Sequence, residues 1–125
     1  MAYGSPEDGG GWWSVQRRSI AIASAEAERK RNSGRDQIEI LDVGSGPGYT
    51  VSEFNKLPGV NAHGLEYNDK MVSYSRQKYG IEVRQGDMHN LSEYYPAESM
   101  DVIHAQSVLW ASDRPEKVVA EIAKI

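Results

Sequence analysis

Residues 38–49, Ile38-Glu-Ile-Leu-Asp-Val-Gly-Ser-Gly-Pro-Gly-Tyr49, decide how the rest of the chain folds. Ile38, Ile40, Leu41 and Val43 make a short apolar run of the length and composition of a buried strand. The run breaks into three glycines spaced two apart, Gly44, Gly46 and Gly48. Beyond them Val51, Phe54 and Leu57 share one helical face, and Pro58-Gly59 stops it. The reading is strand, glycine loop, helix. Such a junction brings backbone close to a ligand without an intervening side chain, and its helix-start N–H groups favour electron-rich ligand atoms. A dinucleotide fingerprint asks for G-x-G-x-x-G, whereas here the third glycine comes one residue early. The spacing argues against a pyrophosphate cradle.

The 125 residues are 39% hydrophobic and 26% charged, the composition of one globular domain. The apolar runs are too short for a membrane span, and the first ten residues lack a basic region followed by an apolar one, so a cytoplasmic protein is expected. No cysteine is present, and His63, His89 and His104 do not show metal-ligand spacing, so no metal is expected. The net charge of −4 and a pI near 5.3 set the overall field against polyanions. Arg17-Arg18, Arg29-Lys-Arg31 and Arg35 form a local basic bias without interleaved aromatics, read as a solvated helix face. Nucleic acid is therefore not an expected partner.

Residues 1–13, rich in glycine and acid at their start, are expected to be a flexible tail, with one domain over 14–125. Ser14 to Arg31 reads as a helix stopped by Asn32-Ser-Gly34. A second strand, Gly59 to Glu66, ends in an acid twenty residues beyond Gly46. In a nucleotide-binding βαβ unit an acid so placed accepts both hydrogen bonds of a ribose diol. Tyr67 follows, able to lay its ring against a base. Asn68 or Asp69 caps a helix that runs to Tyr79 and ends at Gly80. A third strand is expected over Ile81–Gln85, closing on Gly86-Asp87-Met88, then a loop or short helix from Leu91 to Ala97. The fourth is expected over Ser99–Gln106. Asp113-Arg-Pro-Glu116 resembles a capping box for a last helix bearing Val118, Ile122 and Ile125.

Leu41-Asp-Val-Gly-Ser-Gly-Pro-Gly48 resembles motif I of the class I S-adenosylmethionine-dependent methyltransferases, and the resemblance continues in order from about Ile38 to Ile125. It implies that Asp42, Gly44, Ser45, Gly46 and Gly48 surround the methionine half and ribose of S-adenosyl-L-methionine. Glu66 would take the ribose, Tyr67 the adenine face, Asp87 the adenine amino group and Met88 the ring through its backbone N–H. Asp101-Val-Ile matches the motif of an acid and two apolar residues, and Gln106 lies at the ligand end of its strand. The first helix often lies over the cofactor cleft in this family, which would give Trp12 or Trp13 a lid role; packing against the sheet edge explains the pair equally well.

Four strands joined by right-handed crossovers predict a Rossmann-like α/β fold: a parallel sheet in the order 3-2-1-4 with flanking helices. A complete domain of this family would continue into three further strands, so the chain reads as incomplete at its C-terminus. The open edge of strand four then invites self-association. The function implied is methyl transfer to a nitrogen, oxygen or carbon nucleophile of a small molecule. His104 is the first candidate for a general base, with a strand histidine satisfied by a neighbour as the favoured alternative, and Tyr94 or Tyr95 stands behind it. A cofactor-binding module without catalysis is the alternative. A nicotinamide-dependent oxidoreductase shares the strand, loop and ribose acid, but the early third glycine and Gly86-Asp87-Met88 count against it.

Overall fold

The computed structural model describes residues 11–106 and 108–125, with side chains from residue 14 onward. Helix α1 spans Gly11–Asn32, so it starts three residues before the expected boundary. The rest of the expected tail lies outside the described residues, and the lid reading of Trp12 or Trp13 rests on side chains outside those described. Then follow β1 (Ile38–Val43), α2 (Tyr49–Asn55), β2 (Val60–Glu66), α3 (Asp69–Tyr79), β3 (Arg84–Gln85), α4 (Leu91–Tyr94), β4 (Val102–His104) and α5 (Pro115–Ile122). The strands form one parallel sheet in the order β3-β2-β1-β4, as the crossover rule predicts.

The period of two along β1 splits the core into two layers. Ile38 and Ile40 pack with Ala23 and Ala27 of α1, Val51 and Phe54 of α2, and Ala62 of β2. Leu41 and Val43 point the other way, to Leu65, Leu91, Tyr95 and Ile125. Burying each of the larger side chains contributes about 1.5–3 kcal/mol, which makes β1, covered on both faces, the strand that holds the layers together.

Two strands are shorter than expected. Ile81 and Val83 use their side chains for packing, and only Leu65↔Arg84 and Glu66↔Gln85 pair in the ladder. On the other side β4 is tied at its start by Asp101, whose N–H donates to Glu39 O at 2.9 Å and whose Oδ2 accepts Glu39 N–H at 2.8 Å. Arg35 grips the same carboxylate in two bonds of 2.6 and 2.8 Å. Its ladder ends at Asp42↔His104, one residue short of the end of β1. With β1 as its partner on one side, β4 forms an edge of the sheet.

The helix ends follow their local chemistry with one exception. Asn68 accepts Lys70 N–H and Met71 N–H at the start of α3, and Gly80 closes it with φ 66°. The expected capping box at Asp113 is not formed. Arg114 takes the cap position of α5, no side chain caps it, and Ser112 Oγ accepts Arg114 N–H at 2.9 Å. No helix among the described residues is long and apolar enough to cross a membrane.

Candidate functional site

The carboxyl ends of β1, β2 and β3 meet around a cavity of about 470 Å3. Gly44 forms its floor, Leu65, Glu66 and Tyr67 one side, Gly86, Asp87, Met88 and His89 another, and Val108 and Ala111 a third. A second cavity of about 520 Å3 adjoins it through Tyr67, Gly86 and Asp87 and extends to Asn68, Asp69, Gln85 and Tyr94. The location is the one that open α/β sheets use for ligands.

Close packing of the Val108 side chain on the Gly44 backbone explains the glycine there. Gly44 has φ +70°, and a Cβ there would lie 2.4 Å from Val108 Cγ1. The loop amides, by contrast, are not open donors. Gly44 N–H and Ser45 N–H both go to Leu65 O, Gly48 N–H to Ser45 O, and Gly46 N–H to Glu66 Oε1 at 2.9 Å. The loop lets Val108 close on its first glycine and fixes Glu66, which also accepts Asn68 N–H on Oε2 at 2.8 Å. Each of the two oxygens keeps a lone pair for a further donor.

Asp87 is held from one side only. Oδ1 accepts His89 N–H at 2.8 Å and meets His89 Nδ1 at 2.6 Å. Those bonds, the backbone one first, hold its carboxyl below the usual range against the opposing effect of partial burial, so it is an ionised acceptor at neutral pH. Its own N–H donates to Tyr94 Oη at 3.2 Å, and the Tyr94 ring packs where a Gly86 Cβ would stand.

Of the residues singled out from sequence, Gly44, Glu66, Tyr67, Asp87 and Met88 line the cavity and Gly46 braces Glu66. Others lie elsewhere. Ser45 is buried with its Oγ unpartnered, close against Gly64. Gly48 serves packing: a Cβ there would stand 2.6 Å from Ser75 Oγ of α3. Gln106 follows β4 and lines neither of these cavities. Tyr95 is buried in the second core layer, and burial pushes its hydroxyl up, away from a base's range.

Asp42 and His104 form a separate unit below the cavity. Asp42 is 4% exposed and its Oδ1 bonds His104 Nδ1 at 2.7 Å, while His104 Nε2 meets Ser19 Oγ of α1 at 3.1 Å. The ring also packs edge-on against Phe54, with centroids 5.6 Å apart. Burial raises the Asp42 carboxyl, and His104 opposes that rise. Both ring nitrogens are engaged, so His104 stands as a strut between β1, β4 and α1 rather than as a base facing a ligand. Asp42 likewise does not reach either cavity wall.

Sequence reasoning missed His89 and Val108. The signal for His89 was its position two residues after an aspartate, the spacing of an Asx turn. Val108 had no signal, because its role depends on where the segment after β4 crosses Gly44.

The observed features fit an adenosyl group: an acid at the end of β2 with free lone pairs, an ionised acid at the end of β3, and a glycine wall on which Val108 packs. Fold and cavity together define an α/β domain with a ligand-sized cavity at the carboxyl ends of its parallel strands. A family model described as "Methyltransferase domain" matches residues 41–125, and the chain belongs to that family, the class I S-adenosylmethionine-dependent methyltransferases. It is 26% identical over 123 residues to a phosphatidylethanolamine N-methyltransferase of Cereibacter sphaeroides, covering 90% of this chain and 58% of that protein. Among solved structures it resembles the YcgJ protein of Bacillus subtilis, with 27% identity and a TM-score of 0.65 over 86% of this chain and 45% of that one. A SAM-dependent methyltransferase of Aquifex aeolicus shares the fold at 18% identity, with a TM-score of 0.62 over 89% and 65%. The chain thus spans about half to two thirds of the length of these relatives.

Proposed function

We propose that this chain binds S-adenosyl-L-methionine in the cavity over Gly44 and serves methyl transfer to a nucleophile of a small-molecule substrate. The observation that carries the reading is the convergence of Glu66 and Asp87, from the ends of two neighbouring strands, on one cavity with a glycine floor. Glu66, already fixed by Gly46 and Asn68, accepts the ribose hydroxyls, and Asp87 accepts the adenine amino group. Met88 offers its backbone N–H to the ring, and Tyr67, 75% exposed, is free to cover the base. When bound, S-adenosyl-L-methionine supplies a methyl carbon already activated by its sulfonium. The chain's part is therefore to hold and orient, and to keep water out with Val108 and Ala111. A dedicated base is not required for an amine acceptor that arrives unprotonated. The Cereibacter sphaeroides relative is named for N-methylation, which makes an amine the acceptor to assay first.

Calorimetric titration with S-adenosylhomocysteine tests the reading. Micromolar binding is expected, lost in Glu66→Ala and Asp87→Ala. A folded chain that binds no S-adenosylhomocysteine refutes the site. Binding without transfer to any amine, oxygen or carbon acceptor leaves a cofactor-binding module and refutes catalysis by this chain.

A further inference from the structure

His89 lines the cavity, yet the motifs give it no role. Its side chain is 13% exposed, and it sits in the short 3-10 turn Met88–Asn90 directly after Asp87. Backbone N–H and Nδ1 both meet Asp87 Oδ1, at 2.8 and 2.6 Å, and on the far side of the ring Nε2 meets Ser112 Oγ at 2.6 Å. Ser112 Oγ accepts Arg114 N–H at 2.9 Å. One set of proton positions satisfies all four contacts: Nδ1–H donates to Asp87, Nε2 accepts the Ser112 hydroxyl proton, and Ser112 Oγ accepts from Arg114.

The consequence is an asymmetric carboxylate. Oδ1 is taken twice, while Oδ2 has no hydrogen-bond partner among the described residues. The carboxyl cannot turn without giving up both bonds to His89, and the ring cannot follow it, because Nε2 is anchored to the segment after β4. Oδ2 is thus a fixed, ionised acceptor. Such a group discriminates between purines: a 6-amino group brings it a donor, whereas a 6-oxo group brings a lone pair that repels it. A carboxylate free to swing would turn away from the 6-oxo group and lose that discrimination.

We propose that His89 is a positioning residue that, by locking Asp87 against Ser112, makes the site select a 6-amino over a 6-oxo purine nucleoside. The proposal rests on the reading of the cavity as an adenosyl site. The test is calorimetric titration of the chain with S-adenosylhomocysteine and with S-inosylhomocysteine, its 6-oxo counterpart. The wild-type chain is expected to prefer the first by about a hundredfold. His89→Phe keeps the ring volume but is expected to lower that preference to about threefold or less, through weaker adenosyl binding and relief of the repulsion of the 6-oxo group. Two further variants separate the ring's two bonds. His89→Asn places an amide where Nδ1 stands, holds Asp87 and retains most of the preference. His89→Gln places its amide where Nε2 stands, reaches Ser112 but not Asp87, and loses the preference.

Equal weakening of both ligands in His89→Phe overturns the proposal, since a ring that merely supports the wall would act on both alike. Equal preferences in the Asn and Gln variants overturn it as well. A wild-type chain that binds both ligands equally keeps the nucleoside site but refutes selection by Asp87. One that binds neither refutes the cavity reading itself and this proposal with it.

Discussion

Replacing His104 with phenylalanine exposes what holds the buried Asp42. Phenylalanine retains the edge contact with Phe54 and fills the space of the imidazole, so packing changes little. What disappears is the 2.7 Å partner of a carboxylate that is 4% exposed. Removing one member of a buried pair costs about 3–5 kcal/mol, but a carboxyl escapes part of that cost by taking up a proton. With an unfolded-state value near 4, protonation at pH 7 costs about 4 kcal/mol, and at pH 5 about 1.4 kcal/mol. In the variant the folded carboxyl sits further above its unfolded value than it does with His104 present. The folded state then holds a proton that the unfolded state has lost, so stability present at low pH is lost as pH rises through the raised folded value. The proper comparison is with the double variant Asp42→Asn/His104→Phe, which also lacks the imidazole. Urea unfolding followed by circular dichroism at pH 5, 6 and 7 measures it. The single variant is expected to fall behind the double as pH rises from 5, by at most about 1.4 kcal/mol per pH unit, against a total stability of about 5–15 kcal/mol for such a domain. A constant gap between the two across that range would refute the account of His104 as the partner that opposes the rise of the Asp42 carboxyl.

Glu121 offers the opposite sign. Lys124 and the Ser92 backbone N–H are the leading causes that hold its carboxyl at about 2, so its contribution is present above its ordinary value and lost as pH falls through about 2. Glu121→Gln should destabilise by about 1–2 kcal/mol at pH 7, the half-exposed Lys124 keeping the effect modest, and the gap to wild type should narrow between pH 4.5 and 2 in urea unfolding. Gly44→Ala and Gly48→Ala form a contrasting pair, since both glycines have positive φ but only one lies in the cavity. Each should cost about 1–3 kcal/mol by thermal unfolding. Gly44→Ala should also abolish S-adenosylhomocysteine binding as Val108 shifts, whereas the folded fraction of Gly48→Ala should bind as wild type does; equal binding loss in both would refute the assignment of the floor. Asp101→Asn removes the charge that Arg35 grips, and its effect on unfolding should shrink at high salt because Arg35 is half-exposed.

The glycine junction and the caps of α3 were legible because each depends on residues close in sequence, and the strand order because parallel strands joined by crossovers have few arrangements open to them. Ile38, Ile40, Leu41 and Val43 mark a strand by composition, and the glycines mark its end. Glu66 was found because the distance from loop to acid is fixed by one helix and one strand. What could not be read shares a different cause. His104 reads as a strand histidine, but its partners Asp42 and Ser19 lie 62 and 85 residues away. Glu121 is buried on the helix that bears Val118 and Ile122, where it accepts Ser92 N–H of α4 at 3.1 Å across 29 residues. Gln16 donates to Thr50 in a buried contact across 34 residues. Ile81 and Val83 looked like strand because apolar alternation does not say whether backbone or side chain makes the contact. Hydrophobic period registers which face is covered, and it carries no information about which distant polar group completes a buried one.

The Asp42–His104 pair also bears on the order in which the sheet assembles. Pairing of β1 with β2 closes a loop of about twenty residues, whereas pairing of β1 with β4 brings together positions 62 apart. Longer loops cost more chain entropy to close, so the β1–β2–β3 side has the shorter route to formation. On that route Asp42 lacks its imidazole partner until β4 docks, and water is left to meet its carboxyl. Docking of β4 therefore expels that water and supplies the imidazole in one event. The last strand to join is the one that seals the first.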